Sequence, residues 1–410
     1  MHSESLAREV SDLLVSRLST QPRAVIVTGS FARNEGSVLI TGERIRVLGD
    51  MEYMVVFTPG VNRASLQSEL DLHAKHLRTE LKSRGIECDL EFRAVEPQYF
   101  YSLRPQIFGY ELLTHGRTVW GDPTVLSALP KLSRESIPHW DAWRMLNNRI
   151  IEQLEWSDQI NTYSRDQLDR LYYQLIKCHI DLATTLLIFA GRYEDTYAAR
   201  ADALSRWAFE MESVPRMKFL HFIAQRVAAC TAFKLDPNNA PVPLGVRLRT
   251  ADVEVFRADL RAALIDFVPL IHEIWRWEAA EFGRSSVGAD APDETVLRAV
   301  LAHQPLKEKI VGWAKLALMP SVRRQPAFAR RLSRLTFRGS PRYLIYAVAA
   351  QLYFKLPAIL TEGVVGEAVE PLEQLLPVHF AQNNNEFRPW WRLRADVISS
   401  WHVFLRTHFA

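Results

Sequence analysis

Two acidic residues near the N-terminus have the spacing of a metal-binding pair. Asp50 and Glu52 open an apolar run, DMEYMVVF, that is typical of a β-strand. Since side chains alternate across a strand, both carboxylates are expected on one face, with Met51 and Tyr53 on the other. Two neighbouring carboxylates repel each other, and a divalent cation normally holds such a pair together. The spacing therefore predicts metal-dependent chemistry.

A glycine-serine turn upstream supplies the second half of the predicted site. An apolar, β-branched stretch, RAVIVT (23–28), is followed at once by Gly29 and Ser30. Backbone N–H groups at such a turn can approach a phosphate group, and the Ser30 hydroxyl can contact a triphosphate directly. Arg33, in the same segment, has two interpretations: contact with a phosphate, or an ion pair with Glu35. The turn and the acidic pair together indicate chemistry on a nucleoside triphosphate.

A third carboxylate is predicted on another strand. The stretch IECDLEF (86–92) alternates apolar and acidic residues, which places Asp89 and Glu91 on one polar face. If this strand pairs beside the preceding one, Asp50, Glu52 and Asp89 converge at one edge of the sheet. Three carboxylates can hold two magnesium ions, and Asp89 would also accept the proton of an attacking hydroxyl. Glu91 is the alternative third acid, and acids on a solvated strand face can also serve solubility alone.

These motifs, in this order, resemble the nucleotidyltransferase superfamily that includes DNA polymerase β and the aminoglycoside nucleotidyltransferases. The family pattern is an apolar strand, Gly-Ser, a spacer, Asp-x-Asp/Glu within a strand, and a later acid within another strand. The resemblance covers roughly residues 20–125, including the tail YELLTHGRTVWGDP (110–123), and favours Asp89 over Glu91. It implies magnesium, a nucleoside triphosphate substrate, and transfer of a nucleoside monophosphate to an acceptor with release of pyrophosphate.

The spacer from Ser30 to Asp50 is longer than in compact members of that family. The additional residues, VLITGERIRVLG, are expected to fold as an extra loop or a two-stranded insert. The second acid, Glu52, is a glutamate rather than an aspartate. The family pattern permits this residue, although its side chain reaches one methylene further.

Helical periodicity replaces strand signals beyond about residue 135. The expected fold is therefore α+β: a nucleotidyltransferase-type α/β domain with a small mixed sheet, followed by a larger all-α region. We predict a catalytic domain over 1–125, a helical domain over 135–282 that packs on the cleft, and a C-terminal helical region over 294–410. The predicted strands are 23–28, 52–57 and 86–92, and the predicted helices are 4–19, 64–84, 139–160, 165–191, 199–233, 251–282, 294–318 and 343–360.

One helical segment resembles the domain that accompanies bacterial small-molecule nucleotidyltransferases, in which a helix packs over the nucleotide cleft. The segment runs from Lys177 through Tyr193 to Arg200. The resemblance implies that Lys177 reaches the β- or γ-phosphate from across the cleft. The alternative is an ordinary helix ion pair, because Asp181 lies four residues further on the same side.

The composition is that of a soluble, multi-domain protein. The chain has 410 residues, of which 48% are hydrophobic and 24% charged, and its net charge of +3 does not indicate a nucleic-acid partner. Three scattered cysteines and the absence of a secretion signal favour the cytoplasm. The longest apolar stretch, 343–360, is interrupted by Gln351, Lys355 and Pro357, so a membrane partner is not expected.

One segment is much more basic than the chain as a whole. Residues 322–342 hold seven arginines and no acid. Such a segment can bind an anionic acceptor, nucleic acid or a membrane surface, or it can simply be solvated.

The function expected from these observations is magnesium-dependent transfer of a nucleoside monophosphate, AMP from ATP, to an unidentified acceptor. A small-molecule acceptor is favoured, because the resemblance is to stand-alone bacterial enzymes rather than to polymerases. Two alternatives stay open: AMP transfer to a protein, and a catalytically inactive nucleotide-binding or regulatory module with the same fold.

Overall fold

The computed structural model describes residues 3–157, 160–283, 291–325, 327–362, 370–378 and 389–409. The chain divides into two compact units, each built from two segments. The first unit contains Met1–Ala142 and Asp169–Leu248, and the second contains Trp143–Leu168 and Arg249–Ala410.

The two units differ from the three segments predicted at 1–125, 135–282 and 294–410. Residues 135–142 and Asp169–Leu248 belong with the sheet, whereas Trp143–Leu168 and Arg249–Ala410 form the other unit. Periodicity identifies each helix and its apolar stripe, but it does not say which neighbour covers that stripe. The assignment of helices to units depends on contacts between distant residues.

The first unit contains a five-stranded mixed sheet. Its strands are β1 (Ala24–Val27), β2 (Val38–Thr41), β3 (Arg44–Val56), β4 (Ile86–Val95) and β5 (Arg117–Gly121). β3 is antiparallel to β1 and β2 and parallel to β4, and β1 is also antiparallel to β5. The predicted small mixed sheet is confirmed. The long spacer forms the two-stranded insert, because β2 pairs with the first half of β3.

The described helices that begin in the first part of the chain are α1 (Ser3–Val15), α2 (Gly29–Ala32), α3 (Arg63–Ser83), α4 (Gln98–Tyr101), α5 (Ile107–His115), α6 (His139–Ser157), α7 (Arg165–Phe189), α8 (Tyr197–Glu210) and α9 (Phe219–Leu235). Side chains of α1 and α3 form one buried core with alternate residues of β3 and β4, among them Met51, Tyr53, Leu90 and Phe92. The intervening residues therefore project from the other face of the sheet.

The remaining described helices are α10 (Val253–Gly283), α11 (Asp293–His303), α12 (Leu306–Ala317), α13 (Pro320–Arg323), α14 (Phe328–Leu335), α15 (Pro341–Phe354), α16 (Leu356–Glu362), α17 (Glu370–Glu373) and α18 (Pro389–Phe409). In the described part of the chain, no helix combines the length and apolarity needed to cross a membrane.

Several predicted helices are interrupted where the sequence supplies a proline. The segment 199–233 forms two helices, α8 and α9, with Pro215 between them, and 294–318 is divided ahead of α12 by Pro305. Proline lacks the N–H that continues a helix and restricts the residue before it. Periodicity alone did not reveal these breaks, nor did it predict α18.

Candidate active site

The two strands that carry the acidic residues lie side by side in parallel. After an irregularity following Arg46, the register places Asp50 opposite Asp89 and Glu52 opposite Glu91. The predicted pairing of these strands is confirmed. Because Met51 and Tyr53 are buried against the helices on one face, the sheet presents its acidic residues on the other.

The glycine-serine turn lies directly against the second carboxylate. Val27, the last residue of β1, is opposite Tyr53 in the antiparallel ladder, so the chain turns beside Glu52. Gly29 has φ +63°, and a Cβ at this position would lie 2.7 Å from Glu52 Oε2. Any other residue would be strained and would displace the carboxylate. The two halves of the predicted site are therefore adjacent.

The Ser30 side chain is half-buried at the start of α2. Its hydroxyl makes no hydrogen bond to any residue that the structure describes. Its carbonyl accepts the N–H of Glu35 at 2.8 Å, which closes the segment after the turn. The hydroxyl is thus a polar group with capacity for an external ligand.

A lysine from α7 reaches the acidic face. Lys177 Nζ lies 3.6 Å from Asp50 Oδ2, and the Lys177 side chain is only 23% exposed. From the sequence, the predicted partner of Lys177 was either a phosphate group or Asp181. The structure shows a further partner, Asp50, in an ion pair. The positive charge offsets part of the repulsion between the carboxylates.

The electrostatics connect Lys177 with two further acids. Burial raises the pKa of Glu52, the Glu91 and Asp50 carboxylates raise it further, and Lys177 opposes them. Partial desolvation and then Asp50 raise the pKa of Glu91, while Arg93 and Lys177 lower it. Asp50, Glu52 and Glu91 therefore form one interacting acidic group around the Lys177 ammonium.

Both candidates for the third carboxylate lie on the strand beside the acidic pair. Asp89 and Glu91 are both exposed, and Asp89 Oδ1 lies 3.4 Å from Nη1 of Arg78 on α3. Asp89 contributes to neither raised pKa, whereas Glu91 interacts with both Asp50 and Glu52. The structure thus associates Glu91, the alternative considered from the sequence, with the acidic pair. This difference between Asp89 and Glu91 depends on a contact outside the strand, because Arg78 on α3 pairs with Asp89.

The acidic group has the donor chemistry of a magnesium site, since carboxylate oxygens are the hard ligands that this ion prefers. In the side-chain positions of this structure, however, the described residues include no group of three or more His, Cys, Asp or Glu side chains that could hold a metal ion. This holds for Asp50 and Glu52 with Asp89 and equally for Asp50 and Glu52 with Glu91. Asp89 is directed towards Arg78, and a lysine ammonium lies beside Asp50.

Arg33 has a structural partner rather than an open approach to the turn. Its side chain is 2% exposed, and Nε and Nη1 donate to Glu35 at 3.0 Å and to Glu111 at 2.6 Å. The ion pair with Glu35, one of the two interpretations from the sequence, is therefore present, and a role for Arg33 in nucleotide binding stays a prediction. The short spacing within GSFARNE allows the pair, since both side chains turn inward after α2.

Arg33 belongs to a buried network that the sequence did not reveal. Arg200 donates to Glu111 Oε1 at 2.6 Å, and the Tyr193 hydroxyl donates to the same oxygen at 3.0 Å. Glu35 accepts the backbone N–H of Tyr197 at 2.8 Å, which satisfies an N–H group at the start of α8. The network ties the segment after the glycine turn to α5 and α8. Glu111 and Arg200 are 89 residues apart in sequence, so local patterning carries no signal for their contact.

A second lysine, Lys234, is buried near the residues that precede Asp50. Lys234 is 3% exposed, and its Nζ donates to the Tyr173 hydroxyl at 3.0 Å. Burial would lower its pKa, but the phenol groups of Tyr173 and Tyr197 outweigh burial and raise it. A Cβ on Gly49 would lie 3.3 Å from that same Tyr173 hydroxyl. Lys234 and Tyr173 thus support the backbone immediately before Asp50, and the sequence reasoning missed both.

Comparison with known proteins gave no relative on which to base an assignment. The chain matches no protein-family model, no curated protein and no solved structure.

Proposed function

We propose that this protein is a magnesium-dependent nucleotidyltransferase that transfers AMP from ATP to the hydroxyl or phosphate group of a small molecule. One juxtaposition carries the proposal: the Glu52 carboxylate lies against the Gly29 turn, within an acidic group that also contains Asp50 and Glu91. Such a group beside a turn with free N–H capacity suits a metal-bound triphosphate.

Each group of residues at the site has a separate role in this proposal. Asp50, Glu52 and Glu91 would hold magnesium, which when bound neutralises phosphate charge and polarises the attacked phosphoryl group. Ser30 and the backbone of the turn bind the phosphate oxygens. Lys177, which contacts Asp50 at the acidic face, would bind the β- or γ-phosphate there.

Glu91 is the best candidate for general base. It lies opposite Glu52 on the neighbouring strand, on the face of the sheet that carries the acidic pair, where a carboxylate can accept a proton from the attacking group. In this role Glu91 accepts the proton of the acceptor hydroxyl as that oxygen attacks the α-phosphate, and pyrophosphate leaves. Asp89, paired with Arg78, takes no part.

The test is metal-dependent pyrophosphate release from each nucleoside triphosphate, with a small-molecule cell extract as the source of acceptor. We expect release with magnesium and ATP, and a loss of about 10²-fold or more in Asp50→Asn. Glu91→Gln should lose a similar factor, whereas Asp89→Asn, its matched control two residues away, should retain nearly all activity. Equal effects at positions 89 and 91, or full activity in Asp50→Asn, would refute the assignment.

The catalytically inactive alternative is favoured by one observation, namely that the described acids do not form a ready coordination group. It predicts a magnesium-dependent thermal shift with ATP, sensitive to Asp50→Asn, without pyrophosphate release. A whole-cell extract in place of the small-molecule extract tests for AMP transfer to a protein: label from α-labelled ATP would then enter its protein fraction.

A further inference from the structure

The arginine-rich segment contains a helix whose two sides differ in chemistry. Along α14, Phe328 and Leu335 are buried, and the Phe328 ring lies 6.2 Å from that of Trp313. Arg330 and Arg334 are four residues apart and are both exposed. The apolar side fixes the helix within its own unit, so the arginine side is held in a defined position.

The arginine side of α14 borders a cavity of about 410 Å³. Its described lining consists of Ala327, Arg330, Arg331, Arg334, Glu373 and Gln374. This volume falls in the range of small-molecule sites. Three guanidinium groups thus converge on one space of ligand size.

The charges around this cavity do not balance. Among the described residues that line the cavity, Glu373 carries the single carboxylate. That carboxylate already accepts a hydrogen bond from Arg392 at 3.1 Å. Within the described ranges, no carboxylate lies at ion-pair distance from the guanidinium of Arg330 or Arg331. Desolvation lowers the pKa of Arg331, and the carboxylates of Glu373 and Asp396 oppose this only in part. The side chain nevertheless stays charged at neutral pH, because a guanidinium does not lose its proton there.

The geometry points to a binding site for a small molecule that carries a phosphomonoester or diphosphate group, with Arg330 and Arg331 as its direct ligands and Arg334 at the rim. A guanidinium presents N–H donors in a planar fork that matches two phosphate oxygens at once. A phosphomonoester carries close to two negative charges at neutral pH, which matches the excess of arginine over glutamate in the lining.

The test uses the full-length protein in EDTA, with inorganic phosphate and pyrophosphate as probes in isothermal titration calorimetry. We expect saturable binding near one site per chain, tighter for pyrophosphate, and weakened about tenfold or more in Arg330→Gln and in Arg331→Gln. The matched controls are Arg323→Gln and Arg338→Gln, which alter the same basic segment outside the cavity and should bind as the wild type does.

Two results would overturn this inference. The first is an equal loss in the controls, which would mean that binding follows the overall charge of the segment. The second is tighter, steeply salt-dependent binding of an oligonucleotide or an anionic phospholipid vesicle, which would make the segment a surface for a macromolecule. If Arg331→Gln does not fold, Arg330→Gln still tests the inference. Arg330 is exposed, so replacing it leaves the buried side of α14 unchanged.

The outcome is independent of the proposed catalytic function. Asp50→Asn should retain phosphate binding at this cavity, even though its pyrophosphate release is expected to fall. Loss of calorimetric binding in Asp50→Asn would instead assign the bound anion to the acidic face and overturn the cavity site.

Discussion

Replacing Glu111 by glutamine should destabilise the protein substantially, because both of its carboxylate oxygens contact cations. Oε2 accepts from Arg33 and Oε1 from Arg200, each at 2.6 Å. Burial alone would raise the pKa of Glu111, but the two guanidinium groups outweigh burial and hold it at about 2. The fall from 4.5 to about 2, at about 1.4 kcal/mol per tenfold change in proton affinity, amounts to about 3 kcal/mol.

The pH dependence follows from the direction of that shift. A carboxyl whose pKa is lower in the folded protein stabilises the fold fully above its unfolded pKa and loses this contribution as the pH falls through the folded value. For Glu111 the stabilisation is complete above pH 4.5 and disappears towards about pH 2. Glu111→Gln removes it at every pH, so the gap between variant and wild type should close in acid.

Urea unfolding followed by tryptophan fluorescence at pH 7 and pH 3 measures this gap. We expect the variant to be about 3 kcal/mol less stable at pH 7, with a clearly smaller difference at pH 3. Glu135→Gln is a suitable control, because Glu135 pairs with Arg134 on the surface, and its loss should leave the unfolding curve unchanged. A variant that unfolds with the wild type at pH 7, or a gap that persists undiminished in acid, would refute the reasoning.

Other substitutions test the acidic face itself. Gly29→Ala should cost about 1–2 kcal/mol from the left-handed backbone and displace Glu52, so that circular dichroism shows a folded protein with strongly reduced ATP affinity in a thermal-shift titration. Lys177→Met should raise the KM for ATP about tenfold or more, while Lys177→Arg restores most of it; an unchanged KM in the methionine variant would remove Lys177 from the site. Because the pKa values of Glu52 and Glu91 are raised, magnesium affinity in calorimetry should weaken as the pH is lowered and protons compete for the carboxylates; an affinity that does not change with pH would contradict their role as ligands.

The local parts of the site followed from the sequence. Alternation with period two fixed which residues of β3 and β4 face the core, and therefore that Asp50 and Glu52 share the opposite face. A glycine with a positive φ at position 29 is the structural counterpart of the Gly-Ser turn. These features depend on near neighbours in the chain, which is why a pattern can reveal them.

The choice between Asp89 and Glu91 could not follow in the same way. The two residues have the same parity on β4, so alternation treats them alike. They differ only in their distant neighbours: Arg78 contacts Asp89, whereas Lys177 and Asp50 act on Glu91. The buried network around Glu111 escaped prediction for the same physical reason, since its members come from separate segments.

The most direct test of the central claim is a crystal structure of the protein with Mn²⁺ and an ATP analogue that cannot be cleaved between the α- and β-phosphates. We expect an anomalous peak at about 2.1–2.2 Å from carboxylate oxygens of Asp50, Glu52 and Glu91, with the triphosphate on the Gly29 turn. A metal bound by Asp89 in place of Glu91, or a nucleotide away from this face, would contradict the account.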